Sequence, residues 1–354
     1  MRWIMPLVLL LGAAMNAGAD TFAYVSLAPE KQLQVYKLDA KTGALAKVAA
    51  VEVDGAPGAL GVDPKQKFLF ASLRTSSSLA SLSIDPATCQ LKLISTAPLP
   101  TGENAAFVAT DRTGRWLLSA SYAAGKVVVH GLKADGTIET PAVQSVETTK
   151  TAHCVAFDRD NKYVFVPHVA PNAVYQFQFD ASSGKLTAAG QAPGGAQEAG
   201  PRHLAWHPTL PLAFTSDEKG SSITAYRATV GTLQPQQTLS TLPSDFTEKN
   251  TTAEVKVHPS GKFVWVSNRG HDSLAGFAID ATGKLTAIGQ TPTETTPRSF
   301  DIDPSGAWVL SAGEGSGKLA VFAVDQGTGK LARQHTYDVG KSLTWVKLIH
   351  LGSK

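Results

Sequence analysis

Six segments of the chain share one grammar: an apolar strand, an Asp-Pro, His-Pro or Asp-Arg turn, a second apolar strand ending in small residues, a polar loop, and a third strand. The turn anchors are Asp63, Asp111, Asp158, His207, His258 and Asp303, separated by 48, 47, 49, 51 and 45 residues. A fixed period of this size, filled with short alternating strands, predicts the blades of a β-propeller. A fourth strand completes each unit, as at residues 284–288 after the tight turn Asp280-Ala281-Thr282-Gly283. Helix periodicity is nearly absent. Two fragments remain. Residues 21–26 and 33–38 read as second and third strands of a blade, and residues 343–349 as its missing first strand. Together they predict a split blade that closes the ring and removes exposed sheet edges. The expected fold is therefore all-β: a seven-bladed β-propeller of four-stranded antiparallel blades. A length of 354 residues would otherwise suggest two domains. The repeat makes residues 20–354 a single one.

Residues 1–19 stand outside the period. Arg2, an apolar run over residues 3–14, and Ala17-Gly18-Ala19 have the layout of a secretory signal peptide cleaved after Ala19. The run is too short to span a bilayer. A periplasmic or secreted protein is expected, with no membrane association after cleavage. Hydrophobic residues at 43% exclude disorder, and a net charge of +3 with no basic stripe predicts no nucleic-acid partner. The two cysteines, Cys89 at the outer rim and Cys154 near the axis, are too far apart to bridge and read as free thiols.

With strands named A to D from the axis outward, the Asp/His-Pro turns are A–B loops on one face. The other face carries the B–C loops and the A-strand starts. There the residues vary from blade to blade: Glu103, Asn104, His153, Arg202, His203, Glu254 and Arg298 at strand starts, Arg74, Tyr122, His168, Glu218, Asn268, Arg269 and Glu314 in loops. Side chains on loops held by a rigid scaffold around a concave mouth are where binding is expected. His207 and His258 take the Asp position of the A–B turn and read as turn residues. His130 and His335 fall outside the pocket positions and read as surface. A repeat needs no arginine at a strand start, so Arg202 and Arg298 read as ligand-binding. Glu218 and Glu254 either share in the site or pair with those arginines. No nucleophile elbow, Walker loop or zinc-protease motif occurs. Glu218, Glu254, Asn104 and Asn268 have oxygens suited to Ca²⁺, but the interspersed arginines argue against a metal. No metal or cofactor is expected.

Several segments match a known family in order: Gly200-Pro201-Arg202-His203, Ala253-Glu254-Val255, the stretch from Val266 through Asn268-Arg269-Gly270-His271 to Ser273, and Glu294-Thr295-Thr296-Pro297-Arg298-Ser299-Phe300. On these the chain resembles the lactonase family of seven-bladed propellers, which includes bacterial 6-phosphogluconolactonases and the fungal carboxymuconate-lactonising cyclase. The resemblance implies an axial active site in which His153, Arg202, Glu218 and Arg269 match the cyclase's polar positions. Arg298 and Glu254 match further motif positions.

The expected activity is hydrolysis of a sugar or other anionic lactone, phosphorylated as in the family or unphosphorylated, because an exported enzyme rarely meets a cytoplasmic sugar phosphate. Ester opening needs a base for water, an oxyanion clamp and an acid for the leaving alkoxide. Glu218 or His153 is expected as base and His203 as acid. Arg202, Arg298 and Arg269 would bind the oxyanion or a carboxylate, with Glu254 and Asn268 as further substrate contacts. The alternatives are cycloisomerisation of a muconate-type diacid and a non-catalytic propeller that binds a ligand or partner. A small molecule is the expected partner, and the protein is expected to act as a monomer.

Overall fold

A computed structural model describes residues 20–100 and 103–351, so the expected signal peptide lies outside the described residues. All regular structure among them is β-strand, arranged as seven four-stranded antiparallel sheets. Six blades run consecutively: residues 57–98, 105–147, 156–193, 201–240, 251–292 and 297–338. The closing blade joins both ends of the chain. Leu343–Leu351 forms its innermost strand and pairs with Asp20–Leu27, with Val25 opposite Val346. Gln32–Leu38 and Leu45–Glu52 complete it. The split blade predicted from the two fragments is thus present.

The blades adhere through apolar side chains on their facing surfaces. Leu118, Val127 and Val129 of one sheet pack on Val164, Val166 and Phe177 of the next. The second and third strands are buried on both faces, whereas the outer strands alternate with solvent. This follows from stacking sheets radially: only the outermost strand keeps a wet side.

The A–B turns are held by their anchors. Asp63 accepts hydrogen bonds from the backbone N–H groups of Lys65, Lys67 and Phe68, and Asp111 from those of Thr113, Arg115 and Trp116. His207 does the same through Nδ1 and donates from Nε2 to the Gly261 carbonyl of the next blade at 2.9 Å. His258 reaches the Gly306 carbonyl at 3.0 Å. Both histidines are turn residues, as the sequence indicated. The C–D turns lock neighbouring blades by a different device. Trp116 covers Gly184 of the following blade, where a Cβ would stand 2.5 Å from the indole and φ is +74°. Cys89, at φ 57°, takes the equivalent place in the 57–98 blade. Both cysteines are buried and free.

One irregularity recurs in every blade and positions the site. Near its start each innermost strand carries one residue more than its partner. The register slips between Pro57 and Leu60, Ala105 and Phe107, Pro201 and His203, Thr252 and Val255, and Pro297 and Ser299. The closing blade slips between Leu343 and Trp345, and the 156–193 blade between Ala152 and Ala156. A bulge breaks the in–out alternation and re-aims a side chain.

Candidate active site

The bulges converge on an axial cavity of about 310 Å³. Strand starts supply Asn104, Ala106, His153, Arg202 and Arg298; the B–C hairpins supply Arg74, Tyr122, Ala123, Glu218 and Arg269. Ala106, Arg202 and Arg298 are the bulged residues of their strands, and His153 lies within the slip of its own. The extra residue turns these side chains toward the axis.

Positive charge dominates. Arg202 Nε lies 2.9 Å from Glu218 Oε2, off the N–H axis, so the contact is an ion pair without a linear hydrogen bond. Its Nη1 donates to the Ala253 carbonyl at 2.9 Å. Arg269 Nη2 donates to the Thr252 carbonyl at 2.8 Å and sits 3.5 Å from Glu218 Oε1. Arg298 Nη1 stands 3.4 Å from Glu314 Oε2, and Arg74 Nε donates to Asn104 Oδ1 at 3.3 Å. Four arginines therefore share two carboxylates. Burial, then the charges of Arg269 and Arg298, push the Arg202 guanidinium down to about 9, still the cation at neutral pH. Such a cluster is relieved by a bound anion.

His153 faces this charge as a neutral imidazole. Burial first, then Arg202 and His203, hold it well below the usual histidine range. Its Nδ1 is buried without a hydrogen-bond partner, which leaves Nε2 toward the cavity. Tyr122 and His203 meet its ring edge-on at centroid distances of 5.5 and 5.0 Å.

Three of the expected site residues do not line the cavity. Asn268 spends its amide on its own loop: it donates to the Thr241 carbonyl and Ser273 Oγ and accepts from Thr241 Oγ1 and Asn250 Nδ2. No valence remains for substrate, so its place is structural. His203 and Glu254 lie one layer below, His203 Nδ1 2.8 Å from Glu254 Oε1. Phe107, His203 and Trp345 cluster in that lower layer, with centroids 5.3 to 5.7 Å apart. Arg74, Asn104 and Tyr122 were absent from the assigned set, although they occupy the same two repeat positions as the others.

Other expectations also change. His130 is not at the surface; it is 2% exposed, with Nδ1 on the Glu139 carbonyl. His168 is turned away from the axis onto Val166 and Thr148. Asp217, next to Glu218, is fully buried and accepts hydroxyl hydrogen bonds from Thr215, Ser222 and Thr224. Burial pushes its carboxyl up to about 6.

The model of the lactonase family, a seven-bladed β-propeller, matches residues 20–348. The 6-phosphogluconolactonase of Pectobacterium atrosepticum is 32% identical over 332 residues, covering 93% of this chain and 98% of that protein. Its counterpart in Yersinia pestis is 31% identical over 330 residues, covering 92% and 97%. Among solved structures, the Pseudomonas aeruginosa periplasmic gluconolactonase superimposes with a TM-score of 0.85 at 25% identity, covering 94% of this chain and 99% of that one.

Proposed function

Because the chain belongs to the lactonase family of seven-bladed β-propellers, we propose that it is a lactone hydrolase acting in the axial cavity on a sugar lactone. The observation that carries this reading is a neutral imidazole, His153, set among four arginines that share only two carboxylates. A self-neutralised salt-bridge network would leave nothing for an anion.

His153 Nε2 takes a proton from water as the oxygen attacks the lactone carbonyl. Arg202 and Arg298 hold the developing oxyanion, where fixed positive charge acts most strongly. The imidazolium then protonates the ring oxygen as the C–O bond breaks, and the new acid releases its proton to solvent. Glu218, clamped between Arg202 and Arg269, orients both guanidinium groups. The geometry favours His153 over Glu218 as base. A purely acidic role for His203 fits poorly, because its Nε2 faces a donor, Arg202 Nη1.

The likeness to a periplasmic gluconolactonase and the layout of residues 1–19 support an exported enzyme. They also support a substrate without a phosphate. A panel of phosphorylated and unphosphorylated gluconolactones, followed by proton release at constant pH, tests both points. Release on the unphosphorylated lactone is expected. Mature protein that opens no sugar lactone overturns the reading. An N-terminus at Asp20 in the exported protein checks the cleavage site.

A further inference from the structure

Below the cavity the axis carries a row of ionisable side chains that lactone opening, as described, does not use. Arg202 Nη1 lies 3.2 Å from His203 Nε2, and His203 Nδ1 lies 2.8 Å from Glu254 Oε1. Glu254 Oε1 is 3.8 Å from Lys256 Nζ, which is 3.7 Å from Asp301 Oδ1; Asp301 Oδ2 is 3.0 Å from Lys347 Nζ. The row crosses four neighbouring innermost strands and leads away from the cavity toward the A–B turn face.

Donor chemistry places the protons at its upper end. A guanidinium only donates, so His203 Nε2 is the bare nitrogen and the single ring proton sits on Nδ1, given to Glu254. A second proton on Nε2 would oppose the Arg202 donor and two positive charges, Arg202 and Lys256. His203 is 1% and Glu254 2% exposed, so water offers no replacement partner. Burial drives His203 toward its neutral form. Burial alone would raise the Glu254 carboxyl, but His203, Lys256 and Arg202 reverse the direction and keep it ionised. Lys256 is itself held by Asp301, which Lys347 pairs in turn. Arg202 then has Nε on Glu218 and Nη1 on His203 and the Ala253 carbonyl. Among the described residues its Nη2 has no hydrogen-bond partner.

We propose that His203 and Glu254 are positioning residues that fix the Arg202 guanidinium with Nη2 free for the substrate, and that Lys256 holds them in the required tautomer from the far side of the row. The proposal rests on the reading of the cavity as the lactone site, and its test separates the two. In ¹⁵N-labelled wild-type protein, imidazole spectra assigned by loss of the His203 signals in His203→Gln are expected to show Nδ1 protonated and Nε2 bare. Glu254→Gln is expected to erode that tautomer and lower kcat on the order of 10²-fold, the cost of misaiming a catalytic group. Lys256→Gln is expected to do the same more weakly, by roughly tenfold as for coupled network positions, with KM nearly constant. Lys256→Arg is expected to restore both readouts. A merely structural row would lower the unfolding midpoint and leave tautomer and kcat alone. The proposal is overturned by a wild-type His203 protonated on Nε2, or by Lys256→Gln unchanged in tautomer and kcat. If wild-type protein turns over no lactone, the reading of the cavity fails, and the imidazole spectra, which need no turnover, still decide the tautomer.

Discussion

At the A–B turn face, four blades close their innermost hairpin with Asp63, Asp111, Asp158 and Asp303, and two substitute His207 and His258 in the same role. At the opposite face, the corresponding strand starts carry Ala106, His153, Arg202 and Arg298, and no one type is common to them all. The same sheets build both faces. Where the fold needs a particular interaction, each blade supplies it; where blades differ, the residue answers to something other than the fold. Repetition therefore separates scaffold from chemistry without any ligand in view.

That contrast can be broken at either face. The largest effect is expected for Arg202→Ala at the cavity. Loss of an oxyanion donor typically costs 10²–10³ in rate, about 3–4 kcal/mol, and kcat/KM should fall accordingly while the unfolding midpoint moves little. The reverse is expected for Gly184→Ala in a C–D turn. A Cβ there meets Trp116 in a left-handed backbone conformation. Strain and overpacking together should remove roughly 3–4 kcal/mol of stability, read by denaturant unfolding, with kcat unchanged in the protein that remains folded.

Asp217→Asn, behind Glu218, is expected to show its effect only as a function of pH. The folded carboxyl titrates at about 6, above its unfolded value. Its protonated form is therefore the one the fold favours. Stability from this group is complete below pH 4 and lost as pH rises to 6 and beyond. Relative to wild type, the Asn variant should gain about 3 kcal/mol between pH 4 and pH 7. Paired urea titrations isolate the difference from the buried histidines, whose depressed values act in the opposite sense. The smallest effect belongs to His207→Asp, which installs the anchor of the other blades. Stability within about 1 kcal/mol of wild type and unaltered kcat would sharpen the contrast; a large loss of activity would break it.

The same contrast explains what could be read from the amino acids alone. The period, the split closing blade and the turn role of His207 and His258 were legible because each is repeated or arithmetically required. The inward residues at the strand starts were legible only as a group. Arg202 and His203 are adjacent, and alternation would send one in and one out. The bulge between Pro201 and His203 instead places Arg202 in the cavity and His203 in the layer beneath it. A one-residue slip carries no signature in residue type, so Glu254 and Asn268 read as substrate contacts although neither lines the cavity. His130 was misplaced for a related reason. A histidine on a third strand looks polar, yet that strand is buried on both sides.

The closing strand Leu343–Leu351 also sets when the site comes into being. Trp345 from this last segment stacks on His203 and Phe107, and Lys347 ends the axial row on Asp301. A chain still lacking this strand has six blades with an open seam, and the layer beneath the cavity lacks Trp345 and Lys347. The pairing of Val346 with Val25 spans nearly the whole polypeptide, a contact of the longest possible loop and so of the slowest kind to form. The layer that supports the pocket is thereby tied to closure of the ring.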